Sequence, residues 1–296
     1  MNSSASHSSE DEPLFFFHQR DFVFRNPESK IISFTYQQLI IYFTHSDREL
    51  ISLERSSFGG PVISGKAELA DLISLLKKVY DWSVVNGIST IQIRCFPEAY
   101  NQKQSDLINK AFSLSGYEVL YTDVDQILRV NDEGMNMRPS PKLRVRKSRK
   151  TGFQFASLDH STLDRVYHLT ADTRLRKKYP MTMSNADLVE MFKDFPDNYF
   201  LYGVRHHHKI IAAAVVIKIS PTIWYCFYWG DDLHYRTHSP ITFLIHQLYD
   251  YAKMQGVTLL DLGTSADKGI VNAGVFSFKR SLGCEVTPRH TFIKRM

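Results

Sequence analysis

The chain has 296 residues, of which 43% are hydrophobic and 23% charged, with a formal net charge of +5. This is an ordinary soluble composition, long enough for one large domain or two of about 100–150 residues each, and two is the expectation. It excludes a membrane span, because no stretch approaches the roughly 20 apolar residues a bilayer requires and the longest candidate, 210–219, is broken by Lys218.

Residues 1–13 are Ser-rich and acidic with no apolar run, so they read as a disordered tail and not as a secretory signal. Short strands are expected at 21–25 and 31–34, around the turn signal Asn26-Pro27-Glu28, and again at 39–44 and 49–54. The sequence SSFGGP at 56–61 bends the chain. From 66 to 86 the apolar residues Leu69, Leu72, Ile73, Leu76, Val79, Tyr80 and Val84 recur at three and four, which predicts an amphipathic helix ending at Gly87. A strand at 88–96, a helix at 102–114 closed by Gly116 and a strand or hairpin at 117–130 follow. Residues 131–141 have linker composition.

The charge is unevenly spread. Lys142, Arg144, Arg146, Lys147, Arg149 and Lys150 contribute six positive charges to KLRVRKSRK, and without them the rest of the chain stands at −1. The run reads as a basic helix start, either a solvated face or a set of side chains that meet the phosphates of a nucleotide-bearing substrate. A duplex DNA-binding arm is the weaker alternative, since no recognition-helix or zinc motif accompanies the run.

Helices are expected at 162–173 and 185–192, with Ser184 as N-cap. A hairpin at 199–204 and 210–219 turns around 205–209. Then come a strand at 223–230, a helix entered at Ser239-Pro240 and running to 255, a strand at 257–263, a helix at 272–282 and a closing hairpin over 284–296. Matched element by element, 49–130 and 223–296 are two copies of one α/β unit. The order also sets a helix N-terminus, with its unpaired N–H groups, directly after a strand along which an acyl donor could lie. Cys95, Cys226 and Cys284 are far apart with no CxxC pair, which fits buried, unpaired thiols in a reducing, cytoplasmic setting.

The run YWGDD…HYRTHSPITFLIHQLYDYAKMQGVTLLDLGTS…NAGVFSFKRSLGCEV resembles the GNAT acyltransferases, and the tandem arrangement is similar to their FemAB-like branch. The resemblance implies a mixed α/β fold of two tandem GNAT-like domains, each a mostly antiparallel sheet flanked by helices. The first, degenerate, spans 14–130; the second, catalytic, spans 142–296. It implies an N-acyltransferase that moves an acyl group, acetyl above all, from acetyl-CoA or another acyl-CoA to a small-molecule or peptide amine, without a metal. Two alternatives stay open. One is a Fem-type aminoacyltransferase using aminoacyl-tRNA and a nucleotide-linked precursor; the other is a non-catalytic nucleotide- or RNA-binding pseudoenzyme. The oligomeric state is open, since two halves in one chain offer the pairing that many GNAT domains obtain by dimerising.

One departure is specific. GNAT enzymes carry an Arg/Gln-x-x-Gly-x-Gly/Ala loop that lets backbone approach the CoA pyrophosphate. Here Arg236, Thr237, His238, Ser239 and Pro240 stand in its place, and the proline removes an N–H. The resemblance places Trp229, Gly230, Arg236, Thr237, His238, Ser239 and Asn272 against the donor. For chemistry the candidates are Asp231 as base, Asp232 as second choice and Tyr228 as proton donor, set against turn formation for the aspartates and packing for the tyrosine. Asp261, Lys279, Arg144 and Arg146 are candidates for substrate binding; for Asn272 a helix cap suffices by itself, Lys279 fits a solvated face better than a binding site, and Asp261 is equally a structural anchor. His206, His207 and His208 fit a solvated hairpin tip better than a metal site.

Overall fold

The computed structural model describes residues 15–26, 29–179 and 181–296, so the expected tail at 1–13 and the Pro27-Glu28 turn lie outside the described residues. In chain order the elements are α1 (Arg20–Val23), β1 (Ile31–Tyr36), β2 (Leu39–Ser46), β3 (Glu49–Ile51), β4 (Val62–Ile63), α2 (Leu69–Val85), β5 (Thr90–Arg94), α3 (Gln102–Leu114) and β6 (Glu118–Arg129). They continue as α4 (Pro139–Lys150), β7 (Gln154–Leu158), α5 (Leu163–Arg176), α6 (Asn185–Asp194), β8 (Tyr199–His206), β9 (Lys209–Ser220) and β10 (Ile223–Asp231). The last are α7 (Pro240–Met254), β11 (Leu259–Thr264), β12 (Ala266–Asp267), β13 (Ile270–Val271), α8 (Ala273–Ser281) and β14 (Glu285–Arg295).

The chain divides into two compact units. The first comprises 1–124, 268–270 and 287–296; the second comprises 125–267 and 271–286. Each is a mixed α/β unit built around one parallel strand pair in an otherwise antiparallel set. In the first, β1, β2 and β3 run antiparallel, β4 pairs with β2, β3 lies parallel to β5, and β5 takes 291–295 of β14 as its antiparallel neighbour. In the second, β6 contributes 125–129 beside β11, β11 lies parallel to β10, and β10, β9, β8 and β7 continue antiparallel. β3–α2–β5 and β10–α7–β11 are therefore equivalent β–α–β crossovers. Each crossover is flanked by a strand from the far end of the other copy.

Local chemistry accounts for most boundaries. The Asn101 side chain accepts from the Gln104 N–H to start α3, and Ser184 and Asp187 form a reciprocal capping box at α6. α2 buries Leu72, Leu75, Leu76 and Val79 at i, i+3, i+4 and i+7. In the second unit β9 is buried along both faces, with α5 and α7 packed on it, which explains the apolar run of 210–217.

Two expected elements differ. The segment 21–25 has strand-like composition, yet α1 is a single helical turn, because Val23 packs with Tyr42, Leu53 and Val62 in a small core that outweighs local propensity. The stretch 284–296 is one strand and not a hairpin: it holds no turn residue except Pro288, which the strand accommodates, and β5 pairs with its last five residues.

At Gly230 the sheet approaches α5 backbone to backbone: a Cβ there would lie 2.7 Å from the Leu169 carbonyl oxygen and 2.8 Å from Thr170 Cα. Gly230→Ala must push the helix away, and a loss of about 2–4 kcal/mol in unfolding free energy by urea titration is expected.

In the first unit His18 is buried at 3% exposure and its Nε2–H donates to the Gly59 carbonyl at 3.2 Å; burial lowers its pKa from 6.5 to about 4. The folded state keeps this imidazole neutral while the unfolded chain takes up a proton below 6.5. The His18 contribution is therefore complete above pH 6.5, falls as pH drops towards 4, and changes no further below that. Urea midpoints between pH 7 and 4 should show about 3 kcal/mol of this loss in the native chain and not in His18→Gln.

Candidate active site in the second unit

The site is a fork between two parallel strands. β10 and β11 are paired at Ile223–Leu259, Trp224–Leu260 and Tyr225–Asp261, and the pairing stops there. Beyond it β10 is bulged against β9 between Cys226 and Tyr228, and β11 is irregular against β6 between Asp261 and Thr264. Gly263 takes φ +78°, and its missing side chain leaves room for the Tyr225 ring, which a Cβ would meet at 3.3 Å. Parallel strands that part in this way leave main-chain groups without ladder partners, and those groups need others.

Lys279 of α8 supplies them. Its Nζ donates to the carbonyl oxygens of Gly263 at 2.7 Å and Thr264 at 2.8 Å, and the residue is 1% exposed. It therefore lies on no solvated face. Burial lowers its pKa to about 8, against the pull of the Asp261 and Asp125 carboxylates, which favour the charged form. Asp261, 1% exposed, also accepts the Gly263 N–H at 2.6 Å. Burial raises the thiol pKa of Cys226, and that of Cys284 to about 12, so both stay protonated; all three cysteines are buried and unpaired. Gln126, fully buried on β6, accepts from Ser265 Oγ at 2.5 Å and donates to the Phe276 carbonyl at 3.3 Å, tying β11 and α8 together.

Half-buried Tyr225, Phe227 and Trp229 alternate along β10 with buried Cys226, Tyr228 and Gly230. Trp229 meets Phe278 of α8 with ring centroids 5.9 Å apart, and Lys177 Nζ lies 5.3 Å from the Trp229 ring centre. The Tyr228 hydroxyl is engaged by Thr182 Oγ1 at 2.5 Å and accepts the N–H groups of Thr182 and Met183 at 3.2 and 3.0 Å. Burial raises its pKa, and its geometry is that of an anchor for the chain between α5 and α6.

The two aspartates differ in environment. Asp231 is held by Thr173, whose hydroxyl accepts the Asp231 N–H at 3.0 Å, and by Arg176, whose Nη2 lies 3.2 Å from Oδ1. Burial raises its pKa, opposed by the charges of Arg176, Arg236 and Lys177. Asp232 also feels burial, but Lys209 Nζ at 2.8 Å and the His234 N–H at 3.0 Å outweigh it and hold its pKa below the ordinary value. Arg174, whose guanidinium carbon lies 5.2 Å from the Tyr228 ring centre, completes a basic cluster with Arg176, Lys177 and Arg236 around Asp231. The run RLRKK at 174–178 was its signal in the sequence.

Arg236, Thr237 and His238 are exposed on a 3-10 turn, Leu233–His238. Ser239 follows at φ +55° and makes no side-chain cap, so the serine that read as an N-cap acts through its backbone conformation instead. Pro240, Ile241 and Thr242 open α7 and are buried, so its first-turn amides are enclosed by protein. Asn272 caps α8 by accepting the Val275 N–H at 2.9 Å. Arg144 and Arg146 are exposed on α4, whose buried residues Pro141, Val145 and Ser148 face inward; Ser148 Oγ donates to the His238 carbonyl at 2.8 Å. His206, His207 and His208 lie at the β8–β9 turn, and among the described residues no His, Cys, Asp or Glu cluster could hold a metal ion.

No family model and no curated sequence matches the chain. Solved structures do match. FemX superposes with a TM-score of 0.71 at 12% identity over 98% of this chain and 97% of its own. The fold is FemAB-like. L-PGS from Bacillus licheniformis follows at TM-score 0.59 and 12% identity, covering 88% of this chain and 83% of that one. A Bacteroides thetaiotaomicron protein of unknown function also gives TM-score 0.59, at 11% identity over 90% and 86%. Among the described residues no helix is long and apolar enough to cross a membrane.

Removing the Lys279 charge takes from the buried Asp261 and Asp125 the cation that both of them favour. Lys279→Met should lower unfolding free energy by about 3–5 kcal/mol, and adding Asp261→Asn should recover part of it. Chemical denaturation of both variants checks this, with exposed Lys147→Met unchanged as the control.

Proposed function

We propose that the protein is an N-acyltransferase working at the β10–β11 fork, with acyl-CoA as donor and an amine as acceptor. The observation that carries the reading is the fork itself, held open by Lys279 in a FemAB-like fold. A thioester arm extending along Tyr225, Phe227 and Trp229 would bring its phosphates towards Arg174, Arg176, Lys177 and Arg236, cations that replace the missing glycine loop. The amine nitrogen attacks the thioester carbon, the C–S bond breaks, and the thiol leaves with a proton. Asp231 is the base, reaching the amine through water from the end of β10: its raised pKa makes it a stronger proton acceptor than Asp232, which Lys209 keeps ionised and occupied. N–H groups of the bulged β10 segment and the nearby Lys279 charge favour the oxyanion.

A second reading has a specific observation behind it. Enclosed α7 amides and Pro240 leave little backbone for a pyrophosphate, whereas a FemAB-like fold fits an aminoacyl ester of tRNA, in which a C–O bond breaks instead. Isothermal titration with acetyl-CoA and with desulfo-CoA separates the two. Micromolar binding that weakens in Arg236→Ala and Arg176→Ala is expected; absent binding together with transfer from aminoacyl-tRNA would replace the first reading by the second. With either donor, Asp231→Asn should reduce kcat about 10²–10⁴-fold while melting at the native temperature. Since Asp231 acts deprotonated, kcat/KM should rise with pH through a midpoint above the ordinary carboxylate value, and that limb should vanish in the variant.

A further inference from the structure

We propose that a cleft at the start of α5, apart from the acyl-transfer fork, binds a phosphorylated small molecule of nucleotide size. The cleft is an open depression of about 580 Å³ lined by Ser161, Thr162, Arg165, Arg205, His208 and Lys209. That volume falls within the roughly 300–1,000 Å³ of small-molecule sites and exceeds the needs of a lone phosphate.

Its charge is unbalanced. Three fixed cations converge on it, and one carboxylate answers them: Asp232, 9% exposed, whose Oδ2 lies 2.8 Å from Lys209 Nζ and 3.9 Å from Arg165 Nη2. Arg205 has no carboxylate partner among the described residues. Over Asp232 the surplus is two positive charges, and it is one when Asp159, whose carboxylate accepts the Ser161 N–H at 2.8 Å beside the cleft wall, is counted; either way the sign is that which receives a phosphate group. Arg165 and Arg205 offer planar forks for its oxygens, while the Thr162 hydroxyl in the same wall donates to the Asp159 carbonyl at 2.7 Å.

Asp232 sets the geometry without quenching it. Enclosed behind Lys209 and fixed by the His234 N–H, it orients the ammonium and one guanidinium towards the cleft, while the Arg165 and Lys209 side chains stay about half exposed to an incoming ligand. The contrast with α4 is geometric. Its cations are spread over a convex helix face, whereas those of the cleft face a concavity, where the field of several like charges adds.

Isothermal titration of the full chain with inorganic phosphate, ADP and adenosine tests the site. Saturable ADP binding is expected, tighter than phosphate, with none for adenosine. Arg205→Gln, with an unchanged melting temperature, should weaken ADP about tenfold or more, as loss of a charge-assisted pair requires, and Arg146→Gln on α4 should not. Equal affinity for phosphate and ADP would keep the anion site and overturn its nucleotide size. Absence of saturable binding, or equal weakening by Arg205→Gln and Arg146→Gln, would overturn the site itself. Weakening by Arg176→Gln alone would place the anion at the end of β10 instead. Each of these outcomes is independent of whether acyl transfer occurs.

Discussion

A buried ammonium group holds the second unit in its working shape. Two parallel strands beside a helix would by default continue their ladder, because every main-chain group in a dry interior needs a partner. Lys279 breaks that default by taking the Gly263 and Thr264 carbonyls for itself. Its desolvation is offset by Asp261 and Asp125 together with those two carbonyls, so the cation, the carboxylates and the open strands stand or fall as a set. The irregular register of β11, the turn at Gly263 and the aromatic contact between Trp229 and Phe278 are all arranged around this one charge.

Gly230 has a comparable role for the other end of β10. Because it lacks a side chain, α5 can lie against the strand, and the last turn of α5 then carries Arg174 and Arg176, with Lys177 just beyond, over the residues that lead into α7. Basic side chains from a neighbouring helix thus stand beside Arg236 on the turn that leads into α7. Cations on flexible stems reach further and choose their ligands less strictly than a backbone cradle does. Ser239 and Pro240 leave few free amides at the start of α7, and the cations of α5 and Lys177 stand beside that turn.

Much of this was legible in the sequence. Helical spacing located α2 and α3, Ser184 marked the start of α6, and the order of elements exposed the doubled β–α–β unit, because period and capping are local properties of the chain. The FemAB-like resemblance rested on the same order. What the sequence concealed depends on partners far along it. Lys279 reads like any lysine on a short helix until Asp261 and Asp125 arrive from two strands. The basic run at 142–150 is the longer one, yet it is the shorter RLRKK at 174–178 that brings Arg176 and Lys177 beside Asp231. Ser239 carries N-cap composition, but its left-handed backbone, followed by Pro240, turns the chain without using its hydroxyl. The segment 154–158 holds no β-branched residue to announce β7, which its pairing with β8 defines.

The exchange of end strands between the two copies has a consequence for how the chain is made. β5 is synthesised early, but the strand that borders it, residues 291–295 of β14, is translated after the whole of the second unit. The first unit therefore leaves the ribosome with one edge of its parallel pair bare, and it waits in that state while residues 125–290 emerge. An open edge is the part of a sheet most prone to pair with a stranger. The second unit has no such delay, since residues 125–129 of β6 precede the strand they will flank. On the ribosome the second unit can thus be completed before the first, against the order of the sequence, and the early half of the nascent chain is the one a chaperone would have to shelter.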